Sequence, residues 1–140
     1  MPLLYQKASY ATKVSSDPAA NVEHALTFDE PMLVQSFVAA LVTDANVANR
    51  QVHFTLEDAA GRVYARFTAG GTQAASLTRQ YSGQVANFAA PAVADTNFVV
   101  PIGGGVQGLY VPQGGVLRTV TTLFQATDNW GVLTVSGERV

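Results

Sequence analysis

Residues 50–68, RQVHFTLEDAAGRVYARFT, alternate apolar and polar side chains on both sides of a short glycine-containing turn. A strand points successive side chains to opposite faces, so a period of two marks a half-buried strand and not a helix. In the first run Val52, Phe54 and Leu56 face one way, and Gln51, His53, Thr55 and Glu57 face the other. In the second, Val63, Ala65 and Phe67 share a face opposite Arg62, Tyr64 and Arg66. Residues 58–61 form the turn, where Gly61 is free to take a positive φ. The two runs predict a β-hairpin.

The same pattern extends along most of the chain. EHALTFD puts His24, Leu26 and Phe28 on one face and Ala25 and Thr27 on the other, before Pro31. MLVQSFVAALV is apolar at both parities, with Leu33, Phe37 and Leu41 on one and Val34, Val38 and Val42 on the other. It reads as a strand buried on both sides. TDANVAN is a loop, and TQAASLTRQY offers a strand through Ala75, Leu77 and Tyr81. A long small-residue loop runs from Ser82 to Asp95. NFVVPI, LYV, GVLRTVTTLFQ and NWGVLTVSGERV complete the set. Leu117, Val120 and Leu123 keep no common parity, which predicts a bulge or double-sided burial. In the last run Val132 and Leu133 fall on opposite faces.

No segment predicts a helix longer than two turns. Roughly eight to nine short strands between turns predict an all-β fold, an antiparallel β-sandwich with jelly-roll-like or immunoglobulin-like strand order. That domain spans residues 23–140. Residues 1–22 are small, polar and non-periodic, and read as an extended N-terminal arm, ordered where it lies on something, against the plainer reading of a frayed terminus.

Only 13% of the 140 residues are charged, about half the ~25% of soluble domains, which suits a surface partly covered by neighbours. The net charge is −2 and the eight Lys and Arg residues are scattered singly. Phosphate neutralisation needs a cationic cluster, so no nucleic-acid partner is expected. The absence of cysteine excludes disulfides and thiolate metal sites. No apolar run reaches the roughly 18 residues of a span, and MPLLYQKASY lacks signal-peptide features, so no membrane partner is expected.

GGGVQGLYVPQGG, residues 103–115, spells G-x-G-x-x-G at Gly103, Gly105 and Gly108. A dinucleotide site needs a helix directly after that loop, with its N-terminus facing the phosphates. LYVPQGGV cannot form one, and the nearest acidic candidate, Asp128, lies beyond another strand. The glycines therefore read as turns and close backbone approach, Pro112 suits an edge, and no cofactor is expected. DAN at Asp44 and DTN at Asp95 resemble fragments of calcium loops but lack the full ligand series. His24 and His53 are the only histidines, and no G-x-S-x-G elbow is present. Glu57–Asp58 and Asp29–Glu30 flank predicted turns, where solvated charges are ordinary. No catalytic, cofactor-binding or metal residue is assigned, and the chain reads as a non-enzyme. Trp130 and the tyrosines offer rings for stacking on sugars, against the plainer role of packing at the end of the sandwich.

LVTDANVANRQV, TQAASLTRQY, YVPQGGVLRTVTT and ATDNWGVLTV resemble a family of small β-proteins encoded among the virion structural genes of tailed bacteriophages. The shared pattern is ANR-x-V at the start of a strand, Q-x-A-S, P-x-G-x-x-L-R turning into a strand, and D-x-W turning into the last strand. It covers residues 33–140 and leaves out the arm. The resemblance implies a virion structural protein, foremost a capsid decoration or cement protein binding the major capsid protein or other virion proteins. The head–tail connector or the tail is the other location it allows. It also implies self-association, with a homotrimer as the expectation, and synthesis in the bacterial cytoplasm. The alternative is a carbohydrate- or receptor-binding module of a tail fibre or adhesin, motivated by Trp130, the tyrosines and the long loops. An arm docked on a neighbouring subunit would be needed for assembly and not for folding.

Overall fold

The structure is a computed structural model that describes residues 10–84, 97–101 and 108–140, with backbone only for Gln84 and residues 97–101. Its regular elements are strands. They are β1 (Tyr10–Ser15), β2 (Ala25–Thr27), β3 (Met32–Val42), β4 (Gln51–Glu57), β5 (Val63–Thr68) and β6 (Thr78–Gln84). The chain continues through β7 (Asn97–Pro101), β8 (Leu109–Val111), β9 (Val116–Thr122), β10 (Asn129–Trp130) and β11 (Leu133–Arg139). The count exceeds eight to nine because β8 and β10 are too short to show a period.

The larger sheet has the order β1-β11-β3-β6-β7, with β8 and β10 also paired to β3. The smaller sheet has the order β2-β9-β4-β5. The pairs are antiparallel except β6 with β7. The sheets are open and pack as a sandwich. Counting β10 and β11 as one interrupted strand, and setting aside β7 and β8, eight strands remain, in the orders 1-8-3-6 and 2-7-4-5. That is the double Greek key of a jelly roll, and not the immunoglobulin arrangement.

The hairpin forms, and Phe54 lies opposite Phe67 and Leu56 opposite Ala65 as its alternation predicts. The register shifts after Leu56, however, so Val63 pairs with outward-facing Glu57 and is exposed instead of sharing the face of Ala65 and Phe67. Gly61 sits in the turn at φ 80°. Between the sheets, Phe37, Tyr81 and Trp130 of the larger meet Phe54 of the smaller. Ring centroids are 4.5 Å apart for Phe37–Phe54, 6.0 Å for Phe54–Trp130 and 5.7 Å for Tyr81–Trp130. Each such pair adds about 0.5–1.5 kcal/mol beyond the burial itself.

Three readings change. First, β3 is buried on one face only; Leu33, Val38 and Ala40 on the other are partly exposed. Its parity also switches midway. Ser136 lies opposite Ser36 while Gly137 lies opposite Val34, so Gln35 is an extra residue. The bulge lets Val34 and Phe37 face the core together. On the other edge of β3, pairing passes at the same residue from β8, opposite 32–34, to β6, opposite 36–42. Second, β9 keeps strict parity, but its inward series is Leu117, Thr119 and Thr121. The buried Thr119 hydroxyl accepts from His24 N (2.8 Å), and Thr121 donates to Glu23 Oε1 (2.6 Å). Leu123 lies beyond the strand, at φ 57°. Third, residues 72–77 are not strand; β6 begins at Thr78.

Part of the segment read as an arm is β1. It pairs with β11 along its whole length and buries Ala11. Deleting residues 1–22 would therefore strip an edge strand from the larger sheet. Residues 1–9 and 85–96 lie outside the described residues, and so does most of the loop predicted from Ser82 to Asp95.

Gly137 is the tightest point of this arrangement, since a Cβ there would overlap Leu33 O. Gly137→Ala is expected to cost about 1–3 kcal/mol through overpacking. Urea unfolding followed by Trp130 fluorescence should show a lower midpoint with an unchanged slope.

Candidate functional site: a loop end of low charge

Four connections, β1 to β2, β3 to β4, β5 to β6 and β9 to β10, carry the chain from one sheet to the other. All four meet at one end of the sandwich, around a buried Arg50 whose guanidinium joins two of them directly. Arg50 is 0% exposed, and all five of its N–H donors are used. Nε and Nη2 bind Asp128 side-on, at 2.8 and 2.9 Å. Nη2 also reaches Asp44 Oδ1 (2.8 Å), while Nη1 donates to Asn46 O (3.0 Å) and Ala48 O (2.8 Å). A guanidinium's fixed fork suits such bidentate pairing.

The carboxylates are equally occupied. Asp128 accepts in addition from Asp44 N and Gln125 N, both at 2.8 Å. Asp44 accepts from Asn46 N and from the Thr127 hydroxyl and N–H. Burial pushes the Asp44 carboxyl up, but these bonds from Thr127 and Asn46 outweigh it and hold its pKa at about 2.

The other two connections join the same centre. Arg50 and Gln73 exchange backbone hydrogen bonds of 2.9 and 2.8 Å. Buried Gln73 donates to Leu41 O (2.8 Å) and accepts from the Tyr81 hydroxyl (2.8 Å). Ser76 N donates to Asp44 O, and Asn21 N to Asp128 O, each at 2.8 Å. The three non-glycine residues with positive φ among the described residues, Asn21, Ser76 and Leu123, all lie on these connections. Such conformations persist only where the surroundings over-determine them.

The outside of this end has a different character. Residues 43–49, 69–77 and 123–128 contain two ionisable side chains, Asp44 and Asp128, and both turn inward to Arg50. What remains outward is Ala, Asn, Thr and Ser, with Val47 98% and Leu123 63% exposed. The opposite end is charged, with the pairs Asp58–Arg62, Lys13–Asp29 and Arg139–Glu30. The fourth connection, from β1 to β2, adds one exposed carboxylate, Asp17, so the result is a platform of low charge carrying exposed apolar side chains, a surface suited to contact.

The four resemblance segments divide between the two ends. ANR-x-V supplies Arg50, Q-x-A-S supplies Gln73 and Ser76, and D-x-W supplies Asp128 and Trp130. P-x-G-x-x-L-R lies at the charged end, where Phe28 N donates to Gly115 O (2.8 Å) and Arg118 pairs with Glu57 (2.9 Å). Trp130 is fully buried, and its Nε1 donates to Glu23 Oε1 (3.1 Å), so it presents no ring face to a sugar. Tyr64 and Tyr110 are about half exposed, and the Tyr64 hydroxyl donates to Tyr110 O (2.9 Å).

His24 is buried; its Nε2–H donates to Gly131 O (2.6 Å) and its Nδ1 accepts from the Ser15 hydroxyl (2.9 Å). His53 lies on the opposite face of the smaller sheet, beside Thr68. Gly103, Gly105 and Asp95 lie outside the described residues. Gly108 sits at φ 130° and leads directly into β8, a strand where a nucleotide loop would need a helix.

Sequence reasoning passed over Arg50 and Gln73. One signal for Arg50 was present: it shares the inward parity of Val52, Phe54 and Leu56, and a charge at an inward position requires a buried partner. Comparison with protein-family models, with curated proteins and with solved structures finds no match.

Arg50→Leu leaves the buried Asp128 carboxylate without its cation, beside the partly buried Asp44, and is expected to cost about 3–5 kcal/mol, read by thermal or urea unfolding. The pH dependence follows from Asp44. Its folded pKa is depressed, so its contribution is complete above the ordinary 3.8 and is lost as pH falls through about 2. Asp44→Asn should lower stability at neutral pH and flatten the acid limb of the stability profile between those values.

Proposed function

We propose that this protein is a non-enzymatic structural component of a tailed-bacteriophage virion, a decoration or cement protein bound to the major capsid protein of the assembled head. The observation that carries the contact role is the loop end, where every ionisable group of three connections is consumed inside and Val47 stands 98% exposed outside. A surface of fixed shape with little charge loses little conformational entropy and little charge hydration on docking. Binding the assembled lattice in preference to free subunits stabilises the lattice by mass action. The virion assignment rests on the resemblance of the four segments, three of which build this end. Jelly rolls serve in capsids and in lectins alike, so the fold by itself does not choose between them.

Mass spectrometry of purified particles of the encoding phage should recover the protein at many copies per head. Val47→Asp should reduce its occupancy roughly tenfold or more, since a carboxylate would be desolvated in the contact, while the melting temperature stays unchanged. Absence of the protein from particles would sink the assignment. Glycan-array binding lost on Tyr110→Ala would replace it with a carbohydrate-binding role.

A further inference from the structure

We infer that the outer face of the larger sheet is a self-association surface, on which two copies of this chain pack face to face. The inference rests on charge partition and strand register, and not on the loop end.

Directly opposed residues of an antiparallel pair point to the same side, so the registers fix which side chains share this face. One row across the sheet is Val14, Thr134, Val38 and Ser82. The next pairs Thr12 with Ser136 and Ser36. Toward the loop end lie Ala40 opposite Gln80 and Val42 opposite Thr78. The one carboxylate, Glu138, stands in the row at the far end, opposite Tyr10 and Leu33. The smaller sheet is the contrast. Arg118, Thr55 and Arg66 form a single row on its outer face, which also carries His53 and Glu57. Charges are therefore partitioned between the two outer faces, and only the larger sheet has been kept nearly free of them.

The sequence of β3 points the same way. With the bulge at Gln35 counted, its outer side carries Leu33, Val38, Ala40 and Val42, and apolar residues on both sides are the mark of a strand covered on both. Among the described residues only the inner side is covered, while Val38 and Ala40 stay partly exposed and Val42 is 46% exposed. Val14, on the same face, is 58% exposed.

A second copy is the occupant this chemistry favours. In a two-fold interface the patch meets its own copy, so a charge near the axis meets its like, and a charge elsewhere is desolvated unless the same patch supplies its partner. A face of Val, Ala, Ser and Thr carries no such penalty. Sheets also stack through interdigitating short side chains at a spacing of ~10 Å. The face is three to four strands wide along the 11 residues of β3. At about 4.8 Å per strand and 3.3 Å per residue that is on the order of 600 Å² in plan, near the ~800 Å² per partner of a standard interface. Face-to-face packing is a two-fold operation and makes pairs.

Sedimentation of the full chain over a wide concentration range tests this. The wild type should populate a dimer. Thr134→Glu and, separately, Val14→Glu on the exposed edge strand should weaken association by roughly tenfold or more, since each would desolvate a carboxylate in a face that offers it no cation. Near-ultraviolet circular dichroism should show both variants folded. Val120→Glu, on the outer face of the smaller sheet, should associate as the wild type does. A monomer at every concentration, a trimeric mass, or folded Thr134→Glu and Val14→Glu proteins that associate as tightly as the wild type would each overturn the proposal. If pairing fails while the protein is still found in particles, the loop-end reading survives alone.

Discussion

The ion pair between Arg50 and Asp128 is the constraint on which this sandwich turns. Both residues are fully buried, and desolvating them costs several kcal/mol per ion before any attraction is counted. An apolar cluster of the same volume could be as stable. What it could not do is specify geometry. Five guanidinium donors and two carboxylates have fixed directions, and the guanidinium ties the 44–48 loop to Asp128, 78 residues from Arg50. Through them the connections from β1 to β2, β3 to β4, β5 to β6 and β9 to β10 hold one arrangement. A fully satisfied polar network of this kind rigidifies, whereas a partly satisfied one would be worse than none.

That network also explains the contrast between inside and outside at the loop end. Asp44 and Asp128 are turned inward to Arg50, so the residues that the β3–β4, β5–β6 and β9–β10 connections leave facing outward are uncharged. Rigidity and low charge thus have a common origin, and both favour binding by shape. The jelly roll supplies the setting, because its alternation between sheets brings four connections to one end. The larger sheet adds a second surface of low charge at right angles to the first, one suited to a copy of the same chain while the loop end faces a different partner.

A single residue has a comparable effect on the larger sheet. Gln35 is the extra residue of a bulge on one edge of β3 and marks the change of partner from β8 to β6 on the other. Two glycines make the close approach there possible: Gly137 against Leu33 O, and Gly108, whose added Cβ would come within 2.8 Å of Val34 O. The alternation of β3 reads wrongly from sequence for this reason. Leu33 and Phe37 share a parity along the chain but lie on opposite faces, because parity is counted through the bulge.

Local pattern legibly determined the all-β class, the hairpin of β4 and β5, the inward triplet Val52, Phe54 and Leu56, and the strand character of β2, β3 and β11. These follow from side-chain alternation, which a strand imposes on its own residues and which needs no partner to be read. The sequence also carried the segments that build the candidate site, and one hint within them, a charged Arg50 at an inward position. Tertiary structure alone decided the jelly-roll order, the bulge at Gln35, the inward threonines of β9 and the burial of Trp130. It alone brought Arg50, Gln73, Asp44 and Asp128 together from positions up to 84 residues apart. Each of these depends on which strands become neighbours. Alternation says which face of a strand is buried and leaves open what buries it.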